Sequence, residues 1–94
     1  MAWFVYILFS SRHQKTYTGH TDSVEGRLKE HNAGKSEFTS RFVPWNVIHT
    51  EECETRLAAI KREKYYKSGA GRKAIAKILE SRGLGGSLAS LRRE

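Results

Sequence analysis

The chain of 94 residues is long enough for one small domain and too short for two independent hydrophobic cores, which excludes a multidomain enzyme. Its single cysteine, Cys53, excludes an intrachain disulfide and a zinc site made of clustered thiolates. The most apolar run, residues 2–9, is far shorter than the roughly 20 residues of a membrane-spanning helix. We therefore expect a cytoplasmic protein that makes no membrane contact.

The charge is unevenly distributed along the chain. Lys and Arg number 17 against 10 Asp and Glu, for a net charge of +7. Residues 1–55 carry six basic and seven acidic side chains, whereas residues 56–94 carry eleven basic and three acidic ones. A cationic half of this kind is typical of proteins that bind a polyanion such as nucleic acid. The alternative interpretation is that the basic surface only keeps a small protein in solution.

The first third of the chain predicts a hairpin followed by a helix. Trp3–Phe9 is dense in aromatic and β-branched residues, which indicates a buried strand, and a second short strand is predicted over Thr16–His20. The polar loop between them has hairpin length, so the two strands should pair. Residues 21–23 offer helix caps, and a helix is predicted from about 23 to 32.

The middle of the chain predicts a loop and a third strand. Residues 33–44 contain glycine, several small polar residues and the only proline, which is typical of a loop. The following segment, residues 45–51, reads as a strand with Trp45, Val47 and His49 on one side.

The basic half predicts two helices. The first begins at Glu54–Thr55 and ends near Ser68–Gly69, and the second runs from about 71 to 82 with Ile75, Ile78 and Leu79 on one buried stripe. The order β-β-α-β-α-α predicts an α/β protein of the α+β type, a small three-stranded antiparallel sheet flanked by helices. We assign residues 1–82 to the domain and residues 83–94 to a C-terminal tail.

Several kinds of catalytic site are not indicated. The sequence contains neither a nucleophile elbow nor a glycine-rich phosphate loop. No two of the four histidines are spaced to bind a metal from one helix face, so zinc is not expected, and Cys53 is interpreted as structural.

Two tyrosines and a glycine belong to the predicted hairpin. Pairing of its strands would bring the phenols of Tyr6 and Tyr17 near each other, and Gly19 would leave open space beside them for a large ligand. For Tyr17 alone, cross-strand packing is the simpler interpretation.

Arg27 and His31 lie four residues apart on the first predicted helix. This spacing directs both side chains along the boundary between core and solvent. A helix arginine is usually a solvated charge, whereas a histidine can also shuttle a proton.

Glu63 is the only acidic residue between Thr55 and Leu79, and its neighbours are basic. The simple interpretation is an ion pair with Lys67 four residues later. The functional interpretation is a single carboxylate ligand for Mg²⁺, whose coordination would be completed by water and substrate phosphate.

These residues together resemble a known family. The ordered segments are Val5-Tyr6-Ile7-Leu8, Tyr17-Thr18-Gly19, Arg27, His31 and Ala59-Ile-Lys-Arg-Glu63-Lys. Their order and spacing resemble the GIY-YIG nuclease superfamily, especially its small single-domain bacterial members, from residue 3 to about 80. The chain departs from the family pattern in having Val-Tyr-Ile at the first motif, Thr18 in the second, and no asparagine after Glu63.

The resemblance implies roles for particular residues. The implied catalytic set is Tyr6, Tyr17, His20, Arg27, His31 and Glu63. Within it, Glu63 would be the ligand of one Mg²⁺ or Mn²⁺ ion, Arg27 a clamp on the scissile phosphate, and Tyr17 the general base or the group that orients water. A phenol has a pKa of about 10, so such a base needs nearby cations. The expected nucleic-acid contacts are Gly19, Arg62, Lys64, Lys67, Arg72 and Lys73.

Three functions are compatible with the sequence. The first is a metal-dependent endonuclease that hydrolyses DNA phosphodiester bonds in structured or single-stranded substrates, with RNA as an alternative. The second is a module on the same scaffold that binds nucleic acid without cleaving it. The third is an interaction protein whose basic helix docks on an acidic partner.

Overall fold

The computed structural model describes residues 2–84. Its elements, in chain order, are β1 (Trp3–Ser10), β2 (Lys15–Thr21), α1 (Val24–Asn32), α2 (Glu37–Ser40), β3 (Asn46–Cys53), α3 (Arg56–Lys67) and α4 (Gly69–Ser81). The predicted order of strands and long helices and the α+β class are confirmed. Most of the predicted tail, residues 85–94, lies outside the described residues.

β1 is the central strand of the sheet, which has the order β2-β1-β3 with both pairings antiparallel. Val5 stands opposite His20 on one neighbour and Glu51 on the other. Because side chains alternate along a strand, Val5 and Ile7 point to one face of the sheet and Tyr6 and Leu8 to the other. The continuous apolar run in β1 is therefore explained by burial on both faces.

Two hydrophobic layers cover the two faces. The layer on the α3 and α4 side consists of Val5, Ile7, Phe9, Ile48, Ala59, Tyr66, Ile75 and Leu79. The other layer contains Tyr6, Leu8 and Trp45, with Tyr17, Val24, Leu28, Phe42, Val43 and Val47 packed against them. The face on which a strand residue lies therefore decides which helices it meets.

Side-chain caps determine where the three long helices begin. Ser23, Thr55 and Ser68 each accept a hydrogen bond from a backbone N–H in the first turn. The last helix begins at Gly69, slightly earlier than predicted, because Ser68 caps it. Within residues 2–84, we find no helix with both the length and the apolar character needed to cross a membrane.

The prediction of a loop over residues 33–44 is wrong for the one-turn helix α2. The indole N–H of Trp45 donates a hydrogen bond to the Thr39 carbonyl at 2.8 Å, and Phe38 packs on Phe42. Both contacts are made by residues that follow the helix, Phe42 and Trp45, and no side chain caps the N-terminus of α2. The sequence of residues 37–40 alone therefore gives little indication of this helix.

The prediction that Trp45, Val47 and His49 share one side of β3 is wrong for His49. The pairing register shifts between Ile7 and Leu8, so Ile48 is an extra residue between the partners His49 and Val47. A bulge of this kind reverses the facing of the residues beyond it. His49 consequently faces α3, where its ring lies near Tyr66.

Candidate active site

The two hairpin tyrosines lie on the α1 side of the sheet. Tyr6 is buried, Tyr17 is half-buried, and their ring centroids are 6.2 Å apart. The expectation of open space beside Gly19 is wrong. A Cβ atom at Gly19 would lie 2.6 Å from the Tyr6 hydroxyl oxygen, so the absence of a side chain there admits Tyr6 itself.

His31 is fully buried, which corrects the expectation that it lies at the solvent boundary. Its Nε2 is 2.9 Å from the Tyr6 hydroxyl and its Nδ1 is 2.7 Å from Thr39 Oγ1. Burial, and after it the charge of Arg27, lowers the pKa of His31. The imidazole is therefore neutral at physiological pH.

Arg27 lies at the boundary between core and solvent, as its spacing predicts. Its side chain is 39% exposed and donates to Glu30 Oε1 at 2.9 Å. Interaction with the Tyr6 hydroxyl, and with Glu30, raises the pKa of Arg27. It lines a cavity of about 240 Å³ at the start of α1. Burial raises the pKa of Tyr6 to about 12, against the opposing effect of Arg27, so Tyr6 is a protonated phenol at neutral pH.

Glu63 projects from α3 toward β2, where it meets two nitrogen groups. His20 Nδ1 is 2.7 Å from Oε1, and Lys67 Nζ is 3.0 Å from Oε2, which confirms the expected ion pair with Lys67. The Glu63 side chain is 20% exposed. We call His20, Glu63 and Lys67 the β2 cluster.

Lys67 connects the β2 cluster to the tyrosines. Its Nζ lies 5.7 Å from the centroid of the Tyr17 ring while it contacts Glu63. β2 is an edge strand, so groups above and below it can approach one ligand at the open edge. The structure thus places the carboxylate and the phenol within the reach of one lysine side chain.

The donor set near Glu63 fits a magnesium ion held by one carboxylate. Among residues 2–84, no group of three or more His, Cys, Asp or Glu side chains could hold a metal. Mg²⁺ accepts a single carboxylate oxygen when water and substrate phosphate complete its octahedron. Glu63 is partly exposed and each of its oxygens has a second lone pair, so it can supply that ligand.

The expected nucleic-acid contacts occupy different environments. Lys64 and Lys73 are exposed on α3 and α4, Arg72 is half-buried, and Gly19 is covered by Tyr6. Arg62 is exposed, but its Nε donates to Glu51 Oε1 at 2.6 Å, which offsets its charge.

Sequence reasoning missed a second cluster, around Glu51 on β3. Its carboxylate accepts hydrogen bonds from Arg62 and the Tyr66 hydroxyl, and His49 Nε2 lies 2.8 Å from Oε2. Burial alone would raise the pKa of Glu51, but these hydrogen bonds lower it to about 2. We call His49, Glu51, Arg62 and Tyr66 the β3 cluster. Its contacts join β3 to α3 across the fold, so no local motif indicated it.

Comparison with known proteins identifies the family. Residues 2–75 match the family model described as the GIY-YIG catalytic domain. The chain belongs to the GIY-YIG family. This GIY-YIG chain is 39% identical over 66 residues to a UPF0213 protein of Natronomonas pharaonis, an alignment that covers 69% of this chain and 76% of the relative.

Further relatives carry the same family name. A UPF0213 protein of Haloquadratum walsbyi is 42% identical over 66 residues, covering 69% of this chain and 73% of the relative. A UPF0213 protein from Bacillus halodurans, solved by solution NMR, is 30% identical with a TM-score of 0.48, covering 90% of this chain and 88% of that chain. GIY-YIG proteins form an endonuclease superfamily that acts on nucleic acid, typically with divalent metals, and this chain is therefore a nuclease-type domain.

Proposed function

We propose that this chain is a divalent-metal-dependent endonuclease that hydrolyses DNA phosphodiester bonds in the cytoplasm. The observation that carries the proposal is the meeting of two groups at the edge of β2. Tyr17 approaches from one side and Glu63 from the other, with Lys67 in contact with both. Such a pairing of a carboxylate with a phenol at an open edge suits attack of water on a bound phosphate.

Arg27 is the proposed phosphate clamp. A guanidinium presents several N–H donors in a planar fork that matches two phosphate oxygens. Its hydrogen bond to Glu30 Oε1 limits the directions in which the fork can point. Preorganised donors of this kind stabilise the charge that develops on phosphoryl oxygens during attack.

Tyr17 is the proposed general base or water-orienting group. Its half-buried ring packs against the ring of His31 at 4.8 Å and against Phe38. These contacts fix the plane of the phenol, and the Lys67 ammonium lies 5.7 Å from the centroid of its ring. Tyr6, which is buried and protonated, holds neighbouring groups in place.

Glu63 is the proposed ligand of Mg²⁺ or Mn²⁺, and His20 holds its carboxylate toward β2. When bound, such an ion supplies positive charge to the phosphoryl oxygens and the leaving oxygen. Lys64, Lys67, Arg72 and Lys73 are proposed contacts to the DNA backbone, because phosphate neutralisation by lysine and arginine releases counterions.

The test is a cleavage screen with single-stranded, duplex and branched DNA and with RNA, titrated with Mg²⁺ and Mn²⁺. Glu63→Gln removes the carboxylate charge and keeps the shape of the side chain. Glu80→Gln makes the same change at an exposed position of α4 and serves as the matched control. We expect cleavage by the wild type and Glu80→Gln, and none above background by Glu63→Gln. Absence of cleavage by the wild type on every substrate would overturn the proposal.

A module that binds without cleaving is the second candidate, and the occupied state of Glu63 favours it. Both carboxylate oxygens already contact a nitrogen group, His20 or Lys67. This function predicts salt-dependent binding of nucleic acid that is unaffected by chelator and by Glu63→Gln. Metal-dependent cleavage rules it out.

A further inference from the structure

Three side chains form a continuous hydrogen-bonded chain beneath the candidate site. Thr39 Oγ1 lies 2.7 Å from His31 Nδ1, and His31 Nε2 lies 2.9 Å from the Tyr6 hydroxyl. The neighbouring Arg27 guanidinium lowers the pKa of His31 and opposes the rise in the pKa of Tyr6. Thr39 and His31 have no exposed surface, and Tyr6 is 1% exposed. The three groups therefore satisfy one another rather than bulk water.

The chemistry of the three groups assigns the protons in the chain. The neighbouring Arg27 guanidinium has no acceptor, so it cannot take the Tyr6 proton. The phenol is the most acidic neutral donor in the chain and the imidazole nitrogen is its most basic acceptor, so the strongest arrangement has Tyr6 O–H donating to Nε2. A neutral imidazole carries one proton, which then lies on Nδ1 and is donated to Thr39 Oγ1.

The position of Thr39 is itself fixed by backbone contacts. The indole N–H of Trp45 donates to the Thr39 carbonyl at 2.8 Å. The side-chain amide of Asn32, the residue after His31, brackets Trp45 by accepting from its N–H at 2.7 Å and donating to its carbonyl at 3.1 Å. These bonds join the end of α1, α2 and the residue before β3, so the hydroxyl of Thr39 is held against the imidazole.

We propose that Thr39 is a positioning residue that holds His31 as the Nδ1–H tautomer, which directs the Tyr6 proton inward and leaves the lone pairs of the Tyr6 oxygen facing Arg27. The catalytic consequence of this arrangement rests on the proposed function, whereas the tautomer does not. A threonine present only for packing would be replaced by valine with no change in the imidazole. The hydroxyl contact predicts otherwise, because valine has no acceptor for the Nδ1 proton.

The direct test is NMR of the ¹⁵N-labelled protein at neutral pH, which reads the protonation of each ring nitrogen of His31. We expect the wild type to carry the proton on Nδ1, Thr39→Ser to retain it there, and Thr39→Val to move it wholly or partly to Nε2. Ser40→Ala is the matched control, because the hydroxyl it removes belongs to the same helix and donates to the Glu37 carbonyl at 2.9 Å rather than contacting His31. We expect it to match the wild type.

The wild-type spectrum alone can overturn the proposal, whether or not Thr39→Val folds. A proton on Nε2 in the wild type contradicts the assignment, and an unchanged tautomer in a folded Thr39→Val protein contradicts the role of the hydroxyl.

Cleavage measurements test the catalytic consequence separately. We expect Thr39→Val to lower kcat roughly tenfold with KM unchanged, since positioning is lost and substrate contacts remain. Thr39→Ser and Ser40→Ala should cleave at the wild-type rate. A Thr39→Val protein with a changed tautomer and a normal kcat would overturn the positioning role. A wild type that cleaves nothing would instead overturn the proposed function and leave the NMR assignment standing.

Discussion

The β2 and β3 clusters are built from similar parts on either side of Val5. His20 and Glu51 are its two cross-strand partners, so the clusters occupy one row of the sheet at opposite edges. Each contains one glutamate, one histidine and one basic residue of α3. The adjacent residues Arg62 and Glu63 reach opposite edges, one to β3 and the other to β2.

The clusters differ in how the carboxylate is held. Arg62 contacts both oxygens of Glu51, at 2.6 and 3.4 Å, and Tyr66 adds a further donor. Glu63 instead meets the ammonium of Lys67, whose side chain is 40% exposed. A guanidinium fork fixes a carboxylate in one orientation, whereas an ammonium is a point charge on a flexible stem. Glu51 is thus held in one orientation, and we expect Glu63 to be able to exchange Lys67 for another cation.

The largest expected effect is a difference in cleavage rate between the Glu63→Gln and Glu51→Gln variants. We expect Glu63→Gln to lower cleavage on the order of 100-fold or more, because a charge that acts at the phosphate is lost. Glu51→Gln should keep the wild-type rate per folded molecule. The measurement is initial cleavage rate at 25 °C with each folded fraction determined by circular dichroism. Equal losses in both variants would contradict the functional difference between the clusters.

The free energy of unfolding should be more sensitive to Glu51→Gln than to Glu63→Gln, the reverse of the order expected for activity. Glu51→Gln removes the charge that Arg62, Tyr66 and His49 share, and we expect the free energy of unfolding to fall by about 2 kcal/mol. Urea unfolding at pH 7 measures it, with Glu52→Gln at an exposed neighbouring position as the control. A loss no larger than that of the control would show that the β3 cluster does not hold α3 to the sheet.

The acid dependence of stability sharpens this assignment. The pKa of Glu51 falls from 4.5 to about 2 on folding, so its contribution is fully present above pH 4.5 and is lost as the pH falls toward 2. We expect the stability difference between the wild type and Glu51→Gln to shrink over that window and to vanish near pH 2. Urea titrations at several pH values measure it, and a constant difference would contradict the lowered pKa.

The smallest expected effect concerns exchange at Glu63. Lys67→Met removes a competing cation and should tighten Mn²⁺ binding about fivefold, the equivalent of ~1 kcal/mol for one exposed charge near a carboxylate. Lys67→Arg should weaken Mn²⁺ binding, because a fork holds both oxygens. Electron paramagnetic resonance of free Mn²⁺ measures both without any substrate. The same affinity in the two variants would show that Lys67 does not compete for Glu63.

The sequence predicts the fold well because local patterns determine most of it. The apolar run of β1, the caps before α1, α3 and α4, and the periodicity around Ile75 and Leu79 each lie within one element. The helix α2 and the bulge at Ile48 depend on contacts with Trp45 and β1, which are distant in sequence. Local reasoning cannot detect contacts of that kind.

The same distinction applies to the candidate site. The approach of Tyr6 to Tyr17 follows from hairpin pairing, and the Glu63 contact with Lys67 follows from helix spacing. The burial of His31 was missed because the helix that supplies Thr39 was not predicted. The tight packing of Tyr6 on Gly19 was missed because the sequence gives residue types and not the distance between them.

Arg62 contacts Glu51 on β3, and Glu63 contacts His20 on β2. The helix α3 therefore links the two outer strands of the sheet. The two contacts leave α3 from adjacent residues, and each is made through a single carboxylate, that of Glu51 or that of Glu63. Occupation of Glu63 by an ion should therefore slow amide hydrogen exchange in β3 as well as in β2, although the strands never touch. The helix would thus couple ion binding at the edge of β2 to the stability of β3.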